Sequence, residues 1–158
     1  MPANDETREL WVEKLIDAPI DAVWKAWTEH LEEWWCPRPW TTELIELDLR
    51  PGGRTAMLMR GPNGEENPIE GVTLEVIPGR KIIWTDAFKA GWAPNAPFMV
   101  GTWEFTPQGD QTLYRGSARH WSDETYEQHN AMGFEQGWGV AADQLEAVAK
   151  RVAGKVDA

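Results

Sequence analysis

A chain of 158 residues is long enough to bury a sizeable core, and we expect a single domain over residues 1–158 with its core at about residues 9–152. Its 26 acidic and 15 basic residues give a net charge of -11, which argues against nucleic acid and anionic membranes as partners. The single cysteine, Cys36, permits no internal disulfide, and residues 1–6 lack the pattern of a signal peptide, so we expect a cytoplasmic protein.

The N-terminal part of the chain predicts one strand followed by two short helices. Residues 9–16 alternate apolar and polar side chains, with Trp11 on the face away from Ile16, which is typical of a half-buried strand. Residues 21–27 place apolar side chains at helical spacing, and a second helix is predicted around residues 30–35. The prolines that follow Cys36 end this helix, because proline lacks the N–H that a helix needs.

Between residues 42 and 121 the apolar period changes to two, and turn residues recur at the spacing of hairpins. The predicted strands are residues 43–50, 54–60, 71–77, 81–86, 99–106 and 111–121. The segment at residues 88–97, rich in Pro, Gly and Ala, is predicted to form a loop. Strands in immediate succession with short turns form an antiparallel meander, and one face of such a sheet has to be covered.

The cover is predicted at the C-terminal end of the chain. From the N-cap Ser122 the helical pattern continues to about Val152, so we expect one helix of roughly 30 residues and about 45 Å. Gly133 and Gly137 fall on its inner face, although a glycine inside a helix costs about 1 kcal/mol relative to alanine. Their missing side chains allow either close packing or open space, and the large aromatic residues of the sheet favour open space.

The order of one strand, two short helices, six strands and a long helix predicts an α+β fold of the helix-grip type. In this fold a curved antiparallel sheet of six to seven strands surrounds the long C-terminal helix. Four blocks of sequence support the prediction: residues 17–28 (DAPIDAVWKAWT), 34–37 (WWCP), 48–53 (DLRPGG) and 59–66 (MRGPNGEE). These blocks resemble the family named for the activator of the heat-shock protein 90 ATPase, which belongs to the START-like, or SRPBCC, superfamily.

The C-terminal half extends this resemblance. Residues 118–122 (ARHWS), 132–139 (MGFEQGWG) and 143–145 (DQL), together with His129, are similar to a bacterial subgroup often labelled polyketide-cyclase-like. The resemblance covers about residues 10–152 and implies a deep cavity for an apolar or amphipathic ligand, but it does not fix a reaction. Cys36 stands where the family usually has glycine, and we expect its partly exposed side chain to narrow the mouth of the cavity.

The chain contains eleven tryptophans, which favour places where apolar surface meets polar groups, such as cavity walls. The residues that we expect to line the cavity are Trp35, Trp40, Met57, Met59, Trp84, Trp103, Phe105, Tyr114, Ala118, His120, Phe134, Gly137, Trp138 and Ala141. Methionine adapts its shape and aromatic rings supply rigid area, so this lining suits an apolar ligand. The alternative is an ordinary packed core of the same residues, and a slip of one residue in register would reverse every face.

Few polar residues are candidates for chemistry. His120 and His129 lie nine positions apart across a strand-to-helix junction, and a buried histidine beside a carboxylate can act as a general base near neutral pH. His120 is therefore the candidate catalytic residue, although such a histidine more simply caps a helix or bonds a backbone carbonyl. The sequence contains no nucleophile elbow, zinc-protease motif or phosphate loop, and its three scattered histidines argue against zinc, so we expect no metal or other cofactor.

The leading hypothesis is a binding protein that holds a small hydrophobic or aromatic molecule in an internal cavity, with weak catalysis or none. One alternative is a cyclase, dehydratase or hydrolase that acts on a polyketide-like substrate with His120 as its base. Another is a co-chaperone that activates a heat-shock ATPase through its outer surface, which the small size of the chain disfavours. Exposed Trp11 or Trp92 is a candidate contact of a homodimer.

Overall fold

The alternating segments of the chain form an antiparallel sheet that curves around two helices. A computed structural model describes residues 8–155. The strands are β1 Glu9–Ile16, β2 Thr41–Leu47, β3 Arg54–Arg60, β4 Glu66–Ile77, β5 Lys81–Thr85, β6 Phe88–Lys89, β7 Ala93–Pro94, β8 Met99–Gln108 and β9 Gln111–His120. The helices are α1 Ile20–Glu29, α2 Leu31–Trp34, α3 Asp123–Ala131 and α4 Phe134–Val152.

The main sheet has seven strands in the order β1-β9-β8-β5-β4-β3-β2, and every neighbouring pair is antiparallel. The predicted helix-grip architecture is therefore confirmed. The predicted loop at residues 88–97 contains a small hairpin, β6–β7, which was not expected. β4 also begins earlier than predicted, and its Pro68 is tolerated because β5 pairs with β4 only from Val72 onwards, which leaves the first half of β4 with a free edge.

The register places the predicted inner residues on the concave face of the sheet. Ile82 pairs with Trp103, and Phe105 pairs with Tyr114, so each pair points to the same buried side. Glycines beside the large rings make room for them. A side chain on Gly71 would place its Cβ 2.5 Å from Cζ2 of Trp84, and one on Gly101 would lie 2.7 Å from Cη2 of Trp103.

The C-terminal helical region is two helices, so the prediction of one continuous helix of about 30 residues was wrong. α3 ends at Ala131 and α4 begins at Phe134. Gly133 between them has a φ of 88°, a left-handed conformation that glycine adopts without steric cost. The predicted N-cap is present, since the Ser122 hydroxyl accepts a hydrogen bond from the backbone N–H of Thr125 at 3.2 Å.

The core lies where α1 and α4 pack against each other and against the concave face of the sheet. Ile16 of β1, Val23 of α1, and Leu145 and Ala149 of α4 have no exposed surface. The buried side of α4 thus packs against α1 and β1. Within residues 8–155, no helix is long and apolar enough to cross a membrane.

The two tryptophans proposed as dimer contacts lie at the surface. Trp11 is 51% exposed, and the guanidinium of Arg115 lies over its ring at 5.0 Å from the centroid. Trp92 is 54% exposed and packs edge-on against Phe88, with its ring next to Gly52. Both rings have contacts within the chain, so their positions are explained without a second copy, and the homodimer stays a prediction.

Candidate functional site

A cavity of about 770 Å³ lies between the sheet and the helices. Its walls come from α1, α2, β3, β4, β5, the start of β8 and the junction of α3 with α4. The interior is mostly apolar. The exposed residues on its lining form the mouth and are largely polar: Arg38, Asn67, Pro68, Gln128 and Met132.

Most of the residues expected on the wall do lie there. They are Trp35, Trp40, Met57, Met59, Trp84, Trp103, Phe134, Gly137 and Trp138. The alternation of Met57 and Met59 along β3 and the helical spacing of Phe134, Gly137 and Trp138 account for their common orientation.

Five expected residues do not line the cavity, and these assignments are corrected: Phe105, Tyr114, Ala118, His120 and Ala141. All are buried. The alternation predicted the buried face of the four strand residues correctly, but α1 and α3 pack on β8 and β9 in this region, and Ala141 lies on α4 itself. The rings of Trp24 on α1 and Phe105 on β8, for example, meet edge-on with centroids 5.4 Å apart. Burial raises the pKa of Tyr114 well above its usual range, which keeps its hydroxyl neutral.

The aromatic wall is braced by ring contacts. Trp103 on β8 stacks on Trp138 of α4 at 5.7 Å between centroids, with their planes only 7° apart. Trp35 meets Trp138 edge-on at 5.6 Å between centroids, and Trp27 of α1 meets Trp103 at 5.4 Å. Contacts of this kind contribute about 0.5 to 1.5 kcal/mol each beyond area burial. The rings support one another, so the wall is stiff without a guest.

One side chain of α4 fixes the segment that closes the cavity from the helix side. The amide nitrogen of Gln144 donates to the carbonyl oxygens of Trp34 at 2.8 Å and Cys36 at 3.0 Å. Its amide oxygen accepts from the backbone N–H of Arg38 at 3.0 Å. Gln144 therefore anchors residues 34–38 through three hydrogen bonds. The sequence block DQL contained this residue, but only the structure gives its role.

Several residues of the lining were not expected. Thr55 precedes Met57 by two positions and could have been predicted from the same alternation. Asp86, Phe98 and Met99 lie where β5 and β8 end and begin, and the Asp86 carboxylate accepts from the backbone N–H groups of Phe98 at 2.9 Å and Met99 at 3.3 Å. His129 also lines the cavity. Asp86 and Phe98 lie at chain turns, where no periodic signal marks them, whereas His129 lies within α3.

The two histidines near the cavity are joined directly. Nδ1 of His120 lies 2.8 Å from the carbonyl oxygen of Phe98, and Nε2 of His120 lies 3.0 Å from Nδ1 of His129. Burial lowers the pKa of both imidazoles. For His129 the larger cause is burial and the smaller cause is the neighbouring His120, and together they lower its pKa from 6.5 to about 4. Both rings are therefore neutral at pH 7.

This geometry corrects the choice of His120 as the candidate base. Both of its ring nitrogens already have partners, and the residue does not line the cavity. The imidazole on the cavity wall belongs to His129, whose Nε2 has no hydrogen-bond partner among residues 8–155. The simpler of the two expectations for His120, a hydrogen bond to a backbone carbonyl, describes what it does.

Cys36 is on the wall but is only 2% exposed, so the expectation of a partly exposed thiol was wrong. Burial raises the pKa of the thiol, and the hydroxyl of Thr42 lies 3.5 Å from its sulfur. The group is a small apolar part of the wall. Across residues 8–155, no three His, Cys, Asp or Glu side chains are arranged to hold a metal ion.

The comparisons with known proteins agree with the fold and with the sequence blocks. The family model described as Activator of Hsp90 ATPase homolog 1-like protein matches residues 17–150. Comparison with curated proteins gives no match. Solved structures give many.

Three of these structures are informative. The crystal structure of protein NE0264 from Nitrosomonas europaea is 34% identical, with a TM-score of 0.89 over 93% of this chain and 97% of that one. Protein Ms6760 from Mycobacterium smegmatis is 26% identical, with a TM-score of 0.77 over 91% of each chain. A solution structure from Arthrobacter aurescens, 23% identical over 96% of this chain and 91% of that one, shares the fold with a TM-score of 0.80. The chain belongs to the family of Activator of Hsp90 ATPase homolog 1-like proteins.

Proposed function

We propose that the protein binds one small hydrophobic or aromatic molecule in the cavity between the sheet and α4. The observation that carries the proposal is a preformed space of about 770 Å³ with an apolar, aromatic wall. Sites for drug-sized ligands measure roughly 300 to 1,000 Å³ and combine such walls with a few polar groups. The family is consistent with this function, since its fold encloses a cavity of this kind.

Buried polar groups of the wall that lack hydrogen-bond partners support the proposal. The indole N–H groups of Trp27, Trp84 and Trp103 and the hydroxyl of Thr55 are buried and have no partner within the described part of the chain. Each such group costs about 1 to 3 kcal/mol. Losses of this kind concentrate at sites where a residue serves function rather than stability. All four residues line the cavity, whereas the fifth such group among the described residues, the hydroxyl of Thr102, does not.

A catalytic role is a weaker candidate, and the pKa of His129 is the reason. Proton transfer is most efficient when the pKa of the base lies near the working pH. At about 4, the pKa of His129 makes it a poor proton acceptor in a reaction at pH 7, although its lone pair still accepts a hydrogen bond. The site thus favours binding over acid–base chemistry.

The proposal is tested by titration of the purified protein with N-phenyl-1-naphthylamine, an uncharged dye that fluoresces when it enters apolar surroundings. We expect saturable binding of one dye per chain, with energy transfer from the tryptophans of the wall. Native mass spectrometry of protein purified from its host then supplies the mass of a retained guest. Absence of saturable binding of the dye, together with an unliganded mass, would contradict the proposal.

A further inference from the structure

We propose that the natural ligand is an aromatic or aliphatic alcohol or phenol whose uncharged hydroxyl donates a hydrogen bond to Nε2 of His129. This inference rests on the proposed function of the cavity and names the class of its ligand. It depends on the position of the protons along the chain of groups from Phe98 through His120 to His129.

The protons follow from the first partner in this chain. A carbonyl oxygen only accepts, so the Nδ1 that lies 2.8 Å from the Phe98 oxygen carries the proton of His120. In a neutral imidazole the second nitrogen is then an acceptor, so Nε2 of His120 accepts from Nδ1–H of His129 at 3.0 Å. Nε2 of His129 is left without a proton. The wall therefore presents a hydrogen-bond acceptor at this point.

The imidazole of His129 is held in a fixed orientation. Its ring packs against Phe98 and Phe134, each with centroids 5.0 Å away, and against Trp138 at 6.2 Å. The side chain is 8% exposed, and the residue lies on the cavity wall. Nε2 is not among the buried nitrogens that protein atoms enclose completely. A guest can therefore reach it, and the acceptor is positioned before the guest arrives.

The charged groups on the wall determine which polar group of a ligand can lie beside His129. His120 is the ionisable group that acts on His129, and the carboxylate of Asp86, which also lines the cavity, acts on His120. A ligand carboxylate would face the lone pair of His129 and the negative Asp86, and an apolar wall does not compensate the lost hydration of an ion. Arg38 is the one Lys or Arg on the described lining, and it lies at the mouth. A neutral hydroxyl fits this environment best.

The test uses three probes on one biphenyl frame and isothermal titration calorimetry: 4-phenylphenol, which donates and accepts, 4-methoxybiphenyl, which only accepts, and 4-methylbiphenyl, which does neither. In the wild-type protein we expect 4-phenylphenol to bind about tenfold more tightly than the other two. In His129→Phe this preference disappears, while 4-methylbiphenyl keeps its affinity. His30→Gln, which changes a histidine that is not on the cavity wall, keeps the preference.

The outcomes are distinguishable. If the wild-type protein binds all three probes equally, the inference fails while the proposed function stands. If 4-methoxybiphenyl binds as tightly as 4-phenylphenol and both bind more tightly than 4-methylbiphenyl, the wall offers a donor and the proton order is wrong. If neither the three probes nor the naphthylamine dye binds, both the inference and the proposed function fail. In case His129→Phe does not fold, the ¹⁵N shift of Nε2 of His129 in the wild type should move on addition of 4-phenylphenol and not of 4-methylbiphenyl.

Discussion

Replacement of Gly137 by leucine should separate ligand binding from folding. Gly137 is helical and lies on the cavity wall, and a Cβ added there meets only Cγ of Pro37 at an ordinary 3.5 Å. Gly139 is two positions further along the same helix, is not on the cavity wall, and has nothing within 4 Å of an added Cβ. Gly139→Leu is thus a matched control with the same change in helix propensity.

The expected magnitudes follow from these surroundings. Leucine is a better helix former than glycine by about 1 kcal/mol, so both variants should be more stable than the wild type, with melting temperatures raised by about 2 to 4 °C. In Gly137→Leu the side chain occupies part of the 770 Å³ space. If it excludes a guest from contacts worth two methylene groups, about 1.6 kcal/mol is lost, which lowers the affinity more than tenfold.

The assay is a titration with N-phenyl-1-naphthylamine alongside thermal unfolding of the wild type and both variants. We expect the affinity to fall in Gly137→Leu and to stay at the wild-type level in Gly139→Leu, with similar melting temperatures. Equal affinity in the two variants would contradict a binding site beside Gly137, because it would mean that the dye binds elsewhere.

Three further predictions concern the groups around the cavity. Gln144→Leu removes three hydrogen bonds, so it should lower the free energy of unfolding in urea by about 2 kcal/mol and weaken dye binding, whereas the exposed Gln136→Leu should change neither. Between pH 6.5 and pH 4, His129 binds fewer protons in the folded protein than in the unfolded chain, because its pKa is lower in the folded protein. Its contribution to stability is therefore present above pH 6.5 and is lost as the pH falls towards 4. The difference in unfolding free energy between wild type and His129→Phe should therefore change by up to about 3 kcal/mol between pH 7 and pH 4, and no change would contradict the low pKa. Long-range ¹H–¹⁵N NMR at pH 7 should show His120 and His129 both protonated at Nδ1, and a proton on Nε2 of either would contradict the assigned order.

The sheet was predicted well from the sequence, because the alternation of apolar and polar residues along a strand shows which residues share a face. Met57 and Met59 on β3 share the buried face with the indole rings of β5 and β8, as their spacing required. The cavity was predicted more coarsely. Burial on the concave face does not separate a ring that borders open space from one under a helix, so Phe105 and Tyr114 were placed on the wall when α1 covers them.

The parts that were missed depend on single backbone conformations and on contacts distant in sequence. The left-handed Gly133 divides the last helical region, and a glycine in an otherwise helical pattern gives no sign of which conformation it adopts. The exchange of roles between His120 and His129 depends on a carbonyl oxygen 22 residues away from His120. Spacing cannot reveal such a contact. The resemblance to the polyketide-cyclase-like subgroup remains a prediction.

The central claim is that a guest occupies the space between the sheet and α4. A crystal structure of the protein soaked with N-phenyl-1-naphthylamine tests it most directly. We expect the dye next to the stacked pair of Trp103 and Trp138, with Met57 on its opposite side. Dye bound only on the outer face of the sheet, with the side chains of the wall closed over the space, would contradict it.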